Sequence, residues 1–189
     1  MDHIKFNPEK LQKLNNPKRL LDQPPALIWE KLQLQRPKTL IDIGAGTGFF
    51  SIPFVEMSDD GVVYACDISD VMLEWLTENI VPTHPNVIPL KMEESVVPLH
   101  DEIGDLVFMI NLHHELKEPL EILKECQRVL KKNGKIAIID WKKEDTEQGP
   151  PQKIRYDTAT VAEQLKTVGF KNVEIHTDLV KHFVLIAQK

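Results

Sequence analysis

Cysteine is scarce in this chain of 189 residues, and what there is falls apart in the sequence: Cys66 and Cys126 share no metal-binding or redox spacing. Both sit inside apolar segments, so they read as buried thiols of a reducing compartment. No run approaches ~20 uninterrupted apolar residues, the length a membrane-spanning helix needs. The first residues, Met1-Asp2-His3-Ile4-Lys5, contain no apolar signal region, so the expectation is a cytoplasmic protein without a membrane span. Internal repeats and low-complexity tracts are also absent. Positive charge is missing from the middle of the chain, where residues 39–130 carry 4 Lys and Arg against 17 Asp and Glu. Such a surface repels a phosphate backbone, which argues against nucleic acid as a partner. The first 38 residues carry 8 basic against 4 acidic side chains, which reads as a solvated helix face.

What is present describes an ordinary folded domain. Hydrophobic residues at 42% suffice for one sizeable core at this length, and a net charge of −6 with 28% charged residues is typical of such a chain. From residue 38 onward, apolar runs alternate with helix-like stretches. Residues 39–43, 62–66, 87–90, 105–110 and 135–140 read as strands, mostly as continuous apolar runs, the pattern of strands buried on both faces. Helices are expected over about 47–57, 70–79 and 118–131, the last stopping near Asn133-Gly134. Strand alternating with helix predicts a parallel sheet with right-handed crossovers. Asp157-Thr158 begins a further helix to about Val168, ended by Gly169. The runs 173–177 and 182–187 follow, separated by a link too short for a crossover helix, so they form an antiparallel hairpin. Ahead of the first strand, Asn16-Pro17 and Pro24-Pro25 divide a helical preface, residues 1–37, into helices near 8–14 and 26–35 that pack on the sheet or cover a site. Residues 38–189 form the domain proper.

The sharpest motif is Asp42-Ile43-Gly44-Ala45-Gly46-Thr47-Gly48-Phe49, placed after a strand. Glycines there let backbone amides approach a ligand closely. A dinucleotide fingerprint requires G-x-G-x-x-G, but its third glycine position holds Phe49, which counts against NAD or FAD. The acidic centre suits a cationic cofactor better than a pyrophosphate. A second strand ends in Asp67, at about the spacing expected of an acid that accepts hydrogen bonds from ribose hydroxyls. Asp42, just before the glycines, is placed to hold an ammonium group.

Taken in order, the loop 42–48, Asp67, the segment Gly104-Asp105-Leu106-Val107-Phe108-Met109-Ile110-Asn111-Leu112-His113-His114 and the stretch Arg128-Val129-Leu130-Lys131-Lys132-Asn133-Gly134-Lys135 closely resemble class I S-adenosylmethionine-dependent methyltransferases. The nearest subgroup is the broad family related to ubiquinone/menaquinone C-methyltransferases (methyltransferase domain type 11/25), and the likeness runs from about residue 38 to 189. It implies an α/β Rossmann-like class I methyltransferase fold: a central, mostly parallel seven-stranded sheet ending in an antiparallel hairpin, with helices on both faces. It also implies S-adenosylmethionine as cofactor and S-adenosylhomocysteine as product. By this resemblance Gly44, Gly46 and Gly48 form the cofactor loop, Asp67 holds the ribose and Ile68 packs on adenine. Met92 and Glu93 lie on the adenine side, and Asn111 and Leu112 lie near the transferred methyl.

Methyl transfer from a sulfonium is an in-line displacement with an activated leaving group, so catalysis is mainly positioning and exclusion of water. A base is needed only when the acceptor must lose a proton. The candidates are His113 and His114, with Glu115, Trp141 and Tyr156 as candidate walls of the acceptor pocket and no metal site expected. The expected acceptor is a small molecule and the expected assembly a monomer or homodimer. Two alternatives stand beside this reading: a regulatory or scaffold protein that binds the cofactor without catalysis, and a methyltransferase acting on protein or RNA.

Overall fold

A sheet ordered β3-β2-β1-β4-β5-β7-β6 organises the computed structural model, which describes residues 12–189. Its strands are β1 (Thr39–Ile43), β2 (Val62–Asp67), β3 (Val87–Lys91), β4 (Gly104–Ile110), β5 (Leu130–Trp141), β6 (Lys171–His176) and β7 (His182–Gln188). The first five run parallel, and β7 is antiparallel to both β5 and β6. The expected architecture, terminal hairpin included, is therefore the observed one.

Continuous apolar runs arise here because both sheet faces are covered, so alternate residues of one strand enter different cores. Along β4, Val107 and Met109 join one core, whereas Leu106, Phe108 and Ile110 join the other. In β5, Ile136 and Ile138 divide from Ala137 and Ile139 in the same way. The first core is closed by α5 (Pro119–Val129) and α6 (Thr158–Thr167), through Ile122, Leu123, Cys126, Val161 and Leu165. The second is closed by α2 (Pro25–Leu32), α3 (Ser51–Met57) and α4 (Asp70–Asn79). Its centre is Phe54 stacked on Phe108 at 4.5 Å between ring centroids, with the edge of Trp29 5.7 Å from Phe54. Both cysteines are buried and free, and burial pushes their thiols far above the ordinary range.

Local differences from the expected elements have local causes. The helix expected from residue 47 begins only at Ser51, because Gly44, Gly46 and Gly48 all take positive φ (72°, 55° and 76°), which no right-handed helix accommodates. The helix expected to reach 131 ends at Val129, where Leu130 pairs with Gly104 and the chain enters β5, passing through Asn133-Gly134 without stopping. Asp157 caps α6 as expected, accepting from the amide of Thr160 at 2.8 Å.

The preface splits into two roles. The expected helix 8–14 lies largely outside the described residues; 12–14 are helical. A short helix that sequence reading did not anticipate, α1 (Lys18–Asp22), comes next, and α2 replaces the expected 26–35. Ile28 and Leu32 of α2 are fully buried, so α2 belongs to the domain core. Among the described residues no helix is long and apolar enough to cross a membrane.

Candidate functional site

A cavity of about 400 Å³ opens at the carboxyl ends of β1, β2 and β4. Connections leave β1 and β4 on opposite sides of the sheet, which is where open α/β sheets bind ligands. The volume lies within the ~300–1,000 Å³ common for small-molecule sites.

The glycine loop forms one wall and is held by β2. The amides of Gly44 and Ala45 donate to the carbonyl of Cys66 at 2.9 and 3.0 Å, and the amide of Gly46 donates to Asp67 Oδ2 at 2.8 Å. Asp67 Oδ1 accepts from the amide of Ser69, also at 2.8 Å. The carboxylate is thus fixed by two backbone donors at the cavity wall with acceptor capacity remaining. A Cβ on Gly44 would lie 2.8 Å from Leu112, so this glycine allows close approach of the β4 loop. Gly48 is different: it does not line the cavity, and a Cβ there would lie 2.7 Å from Leu76, so it seats the loop on α4.

Asp42 is nearly sealed from solvent and accepts from the Ser51 hydroxyl at 2.6 Å. Burial raises its pKa to about 7; the Ser51 bond and Arg19 oppose this, and Asp67 adds to it. The folded chain therefore keeps a proton that the unfolded chain loses from pH ~4 upward. Stability conferred by the neutral acid declines from there to about pH 7, at up to roughly 1.4 kcal/mol per pH unit, and then levels off. Asp42→Asn is expected to flatten that decline, as measured by urea unfolding at pH 5 and pH 8; an identical pH slope in the variant would contradict it.

On the adenine side of the resemblance, Ile68 and the buried Met92 line the cavity, but Glu93 does not. Glu93 and Val96 form a backbone bridge, and this tight turn presents Glu94 and Ser95 instead. Glu94 pairs with Lys117 at 2.7 Å, and both are on the lining.

Beyond β4, Asn111 takes a positive φ of 58° and lines the cavity with Leu112. The 3₁₀ turn His113–Glu115 follows, and successive side chains on such a turn diverge by ~120°. Glu115 lines the cavity. His113 is buried, with Nε2 2.8 Å from Gln164 Oε1 and its ring packed edge-on to Tyr156 at 5.1 Å. Burial lowers its pKa, against the Gln164 bond and the field of Asp140. His114 turns toward the end of β5, where Nδ1 is 2.8 Å from Asp140 Oδ1 and its amide donates to Asp140 Oδ2 at 2.9 Å. The amide of Trp141 also donates to Asp140 Oδ1, at 2.7 Å. The Asp140 carboxylate thus gathers the His114 ring, the His114 amide and the Trp141 amide, and His114 Nε2 lies 3.7 Å from Glu115 Oε1.

Two expected pocket walls lie elsewhere. Tyr156 packs with His113 against the first core. Trp141 packs on His182 at 4.3 Å and under the Arg155 guanidinium at 5.3 Å, with Gly149 against its ring. Arg155 bonds the carbonyls of Lys142, Glu144, Gln148 and Pro150, so the 142–155 loop is pinned around it.

Sequence reading missed α1 as part of the site. Arg19 lines the cavity, and its guanidinium lies 5.1 and 4.9 Å from the ring centroids of Phe49 and Phe50. Gln23, buried, exchanges two hydrogen bonds with the Asn111 side chain at 2.8 and 3.1 Å. Asn15 accepts from the Thr47 hydroxyl at 2.8 Å, and Asp22 pairs with Lys181 at 2.9 Å. No signal in the preface marked these residues, because each acts on a partner far away in the chain.

The pattern of loop, acids and sheet order is matched by a family model described as a methyltransferase domain, over residues 41–138. The chain belongs to this methyltransferase domain family. A solved structure described as a SAM dependent methyltransferase from Aquifex aeolicus shares 36% identity with it at a TM-score of 0.88, covering 97% of this chain and 99% of that one. A demethylmenaquinone methyltransferase of Chlamydia muridarum is 33% identical over 57% of this chain and 46% of its own length. An uncharacterized methyltransferase-like protein of Schizosaccharomyces pombe is 31% identical over 63% of this chain and 44% of its own length. The chain thus spans just under half the length of these curated relatives. The fold and the resemblance to the quinone methyltransferase group agree with the sequence reading, and S-adenosylmethionine is the cofactor of the methyltransferase domain. The residues present suit it: glycine amides on an open wall, a carboxylate fixed at the end of β2, and a buried acid at the end of β1.

Proposed function

We propose that this methyltransferase domain transfers a methyl group from S-adenosylmethionine to a small-molecule acceptor. The observation that carries the reading is a single cavity wall that sets the fixed carboxylate of Asp67 and the buried Asp42 on either side of the glycine loop. In this reading Asp67 receives the ribose hydroxyls and Ile68 and Met92 contact the adenine. The amides of the glycine loop and Asp42 receive the amino-acid end. When bound, the cofactor supplies a methyl group on a sulfonium, so the chain's own residues need only orient it, admit the acceptor and exclude water. Residues 12–23 close one side of the site through Asn15, Arg19 and Gln23, which supports a covering role for the preface. His114 does not itself line the cavity; held by Asp140 beside the lining Glu115, it is the base for an acceptor that reaches past Glu115 and must lose a proton, and His113 is a core residue.

A small acceptor fits a site whose lining, among the described residues, carries few cations. Those described are Arg19, set on two rings, and Lys117, paired with Glu94. The decisive experiment incubates the protein with methyl-labelled S-adenosylmethionine and a cell extract, then separates products by size. Label is expected in the small-molecule fraction. Label confined to protein or RNA overturns the acceptor class, and no label despite normal cofactor binding points to a binding module without catalysis.

A further inference from the structure

Among the described residues, His182 is a buried imidazole with no hydrogen-bond partner on either ring nitrogen. It opens β7 and is only 1% exposed. Burial lowers its pKa to about 4, against the fields of Asp22 and Asp140, so near neutral pH the ring is uncharged and offers one N–H donor and one acceptor nitrogen. The next positions on the same face of β7 are Val184 and Ile186, both in the second core, and an apolar residue at 182 would continue that row. A histidine left unbonded there costs stability that an apolar side chain of its size would not.

The position of the ring relates it to the cavity. His182 pairs with Trp141 across β5 and β7, their ring centroids 4.3 Å apart. On the other side of β5, the Asn111 amide donates to the Ile139 carbonyl at 2.8 Å. Asn111, which lines the cavity, therefore stands between it and the His182 ring. Over this boundary lies α1, which buries none of its own five residues. Side-chain contacts hold it down: Gln23, just past its end, on Asn111, Asp22 on Lys181, and Arg19 on the two rings. An element with so little buried opens at low free energy. We propose that His182 determines acceptor specificity: when α1 lifts Gln23 from Asn111, the imidazole bonds an uncharged hydroxyl or amide group of the acceptor and directs its methylated end toward Asn111. This assignment rests on the methyltransferase reading above. A neutral imidazole both donates and accepts, as a hydroxyl or an amide does, whereas a carboxylate only accepts and an ammonium only donates. The end of β5 beside it also carries Asp140, which holds His114, so an acceptor seated here lies across the strand end that fixes the proposed base.

His182→Leu tests it in the labelling assay, with the cell extract as the source of acceptor and the amount of extract that gives half-maximal labelling as an apparent KM. His182→Leu is expected to need about tenfold more extract, the loss of the acceptor's hydrogen bonds to the ring. It is expected to bind S-adenosylhomocysteine within about twofold of wild type by calorimetry, and to unfold in urea at or above the wild-type midpoint, because an unbonded polar group leaves the core. His182→Gln, which keeps a donor and an acceptor, is expected to recover most of the labelling. An unchanged half-maximal amount of extract in His182→Leu overturns the assignment alone. So does a lower urea midpoint or weaker S-adenosylhomocysteine binding, either of which makes His182 a structural residue. No label with a wild-type protein that binds S-adenosylhomocysteine defeats the methyltransferase reading, and this assignment with it.

Discussion

Asp67→Ala is expected to weaken S-adenosylhomocysteine binding by about 1.5–3 kcal/mol, roughly 10- to 100-fold, relative to a micromolar wild-type affinity. Two effects combine. The cofactor hydroxyls lose a charged acceptor at a site only 8% exposed, where water replaces it poorly. The loop also loses the bond from Gly46 and the bond from Ser69, so the glycine wall is less well fixed before the ligand arrives. Asp67→Asn separates the two, since it keeps one oxygen for the loop but removes the charge; its loss should be smaller. Both are read by calorimetry, beside thermal unfolding to confirm that the fold persists. An Asp67→Ala protein that binds as tightly as wild type would remove Asp67 from the cofactor site.

His114→Ala is expected to lower kcat by about 10²–10⁴-fold with an acceptor that loses a proton, the usual contribution of a positioned base. The labelling experiment supplies that acceptor. Affinity for S-adenosylhomocysteine should change little, because His114 does not line the cavity that receives the cofactor in this reading. Asp140→Asn is expected to follow His114→Ala in kcat. Its amide nitrogen no longer selects Nδ1–H, so the imidazole presents the wrong tautomer toward the site. His113→Gln gives the contrast: reduced stability from a disturbed contact with Gln164 and Tyr156, with kcat largely retained. Equal kcat in wild type and His114→Ala would mean that no base is needed and that the reaction runs on positioning alone.

The features legible in the sequence are those written as local pattern. The strands of the parallel core announced themselves because each is apolar at nearly every position, and the structure divides those positions between two cores. The hairpin was legible because its link is too short for anything else. The loop 42–48 and its contact with Asp67 were legible because positive φ and close backbone approach demand glycine. What sequence pattern does not resolve is which neighbour faces the cavity. The turn closed by Val96 presents Glu94 and not Glu93, which is fixed by backbone pairing and not by residue type. Trp141 is held away from the cavity by His182 and Arg155, both distant in sequence.

What the sequence by itself determined is the order of the elements, the two-sided burial of the sheet and the glycine loop, because periodicity and glycine placement are properties of neighbouring residues. Only the tertiary structure decided which of two adjacent histidines faces Asp140 and which enters the core, since neighbouring side chains on a 3₁₀ turn diverge and their partners arrive from β5 and α6. It alone brought Arg19 and Gln23 to the site, because a contact between residues 23 and 111 is set by how the preface packs across the sheet edge and leaves no periodic trace in either segment.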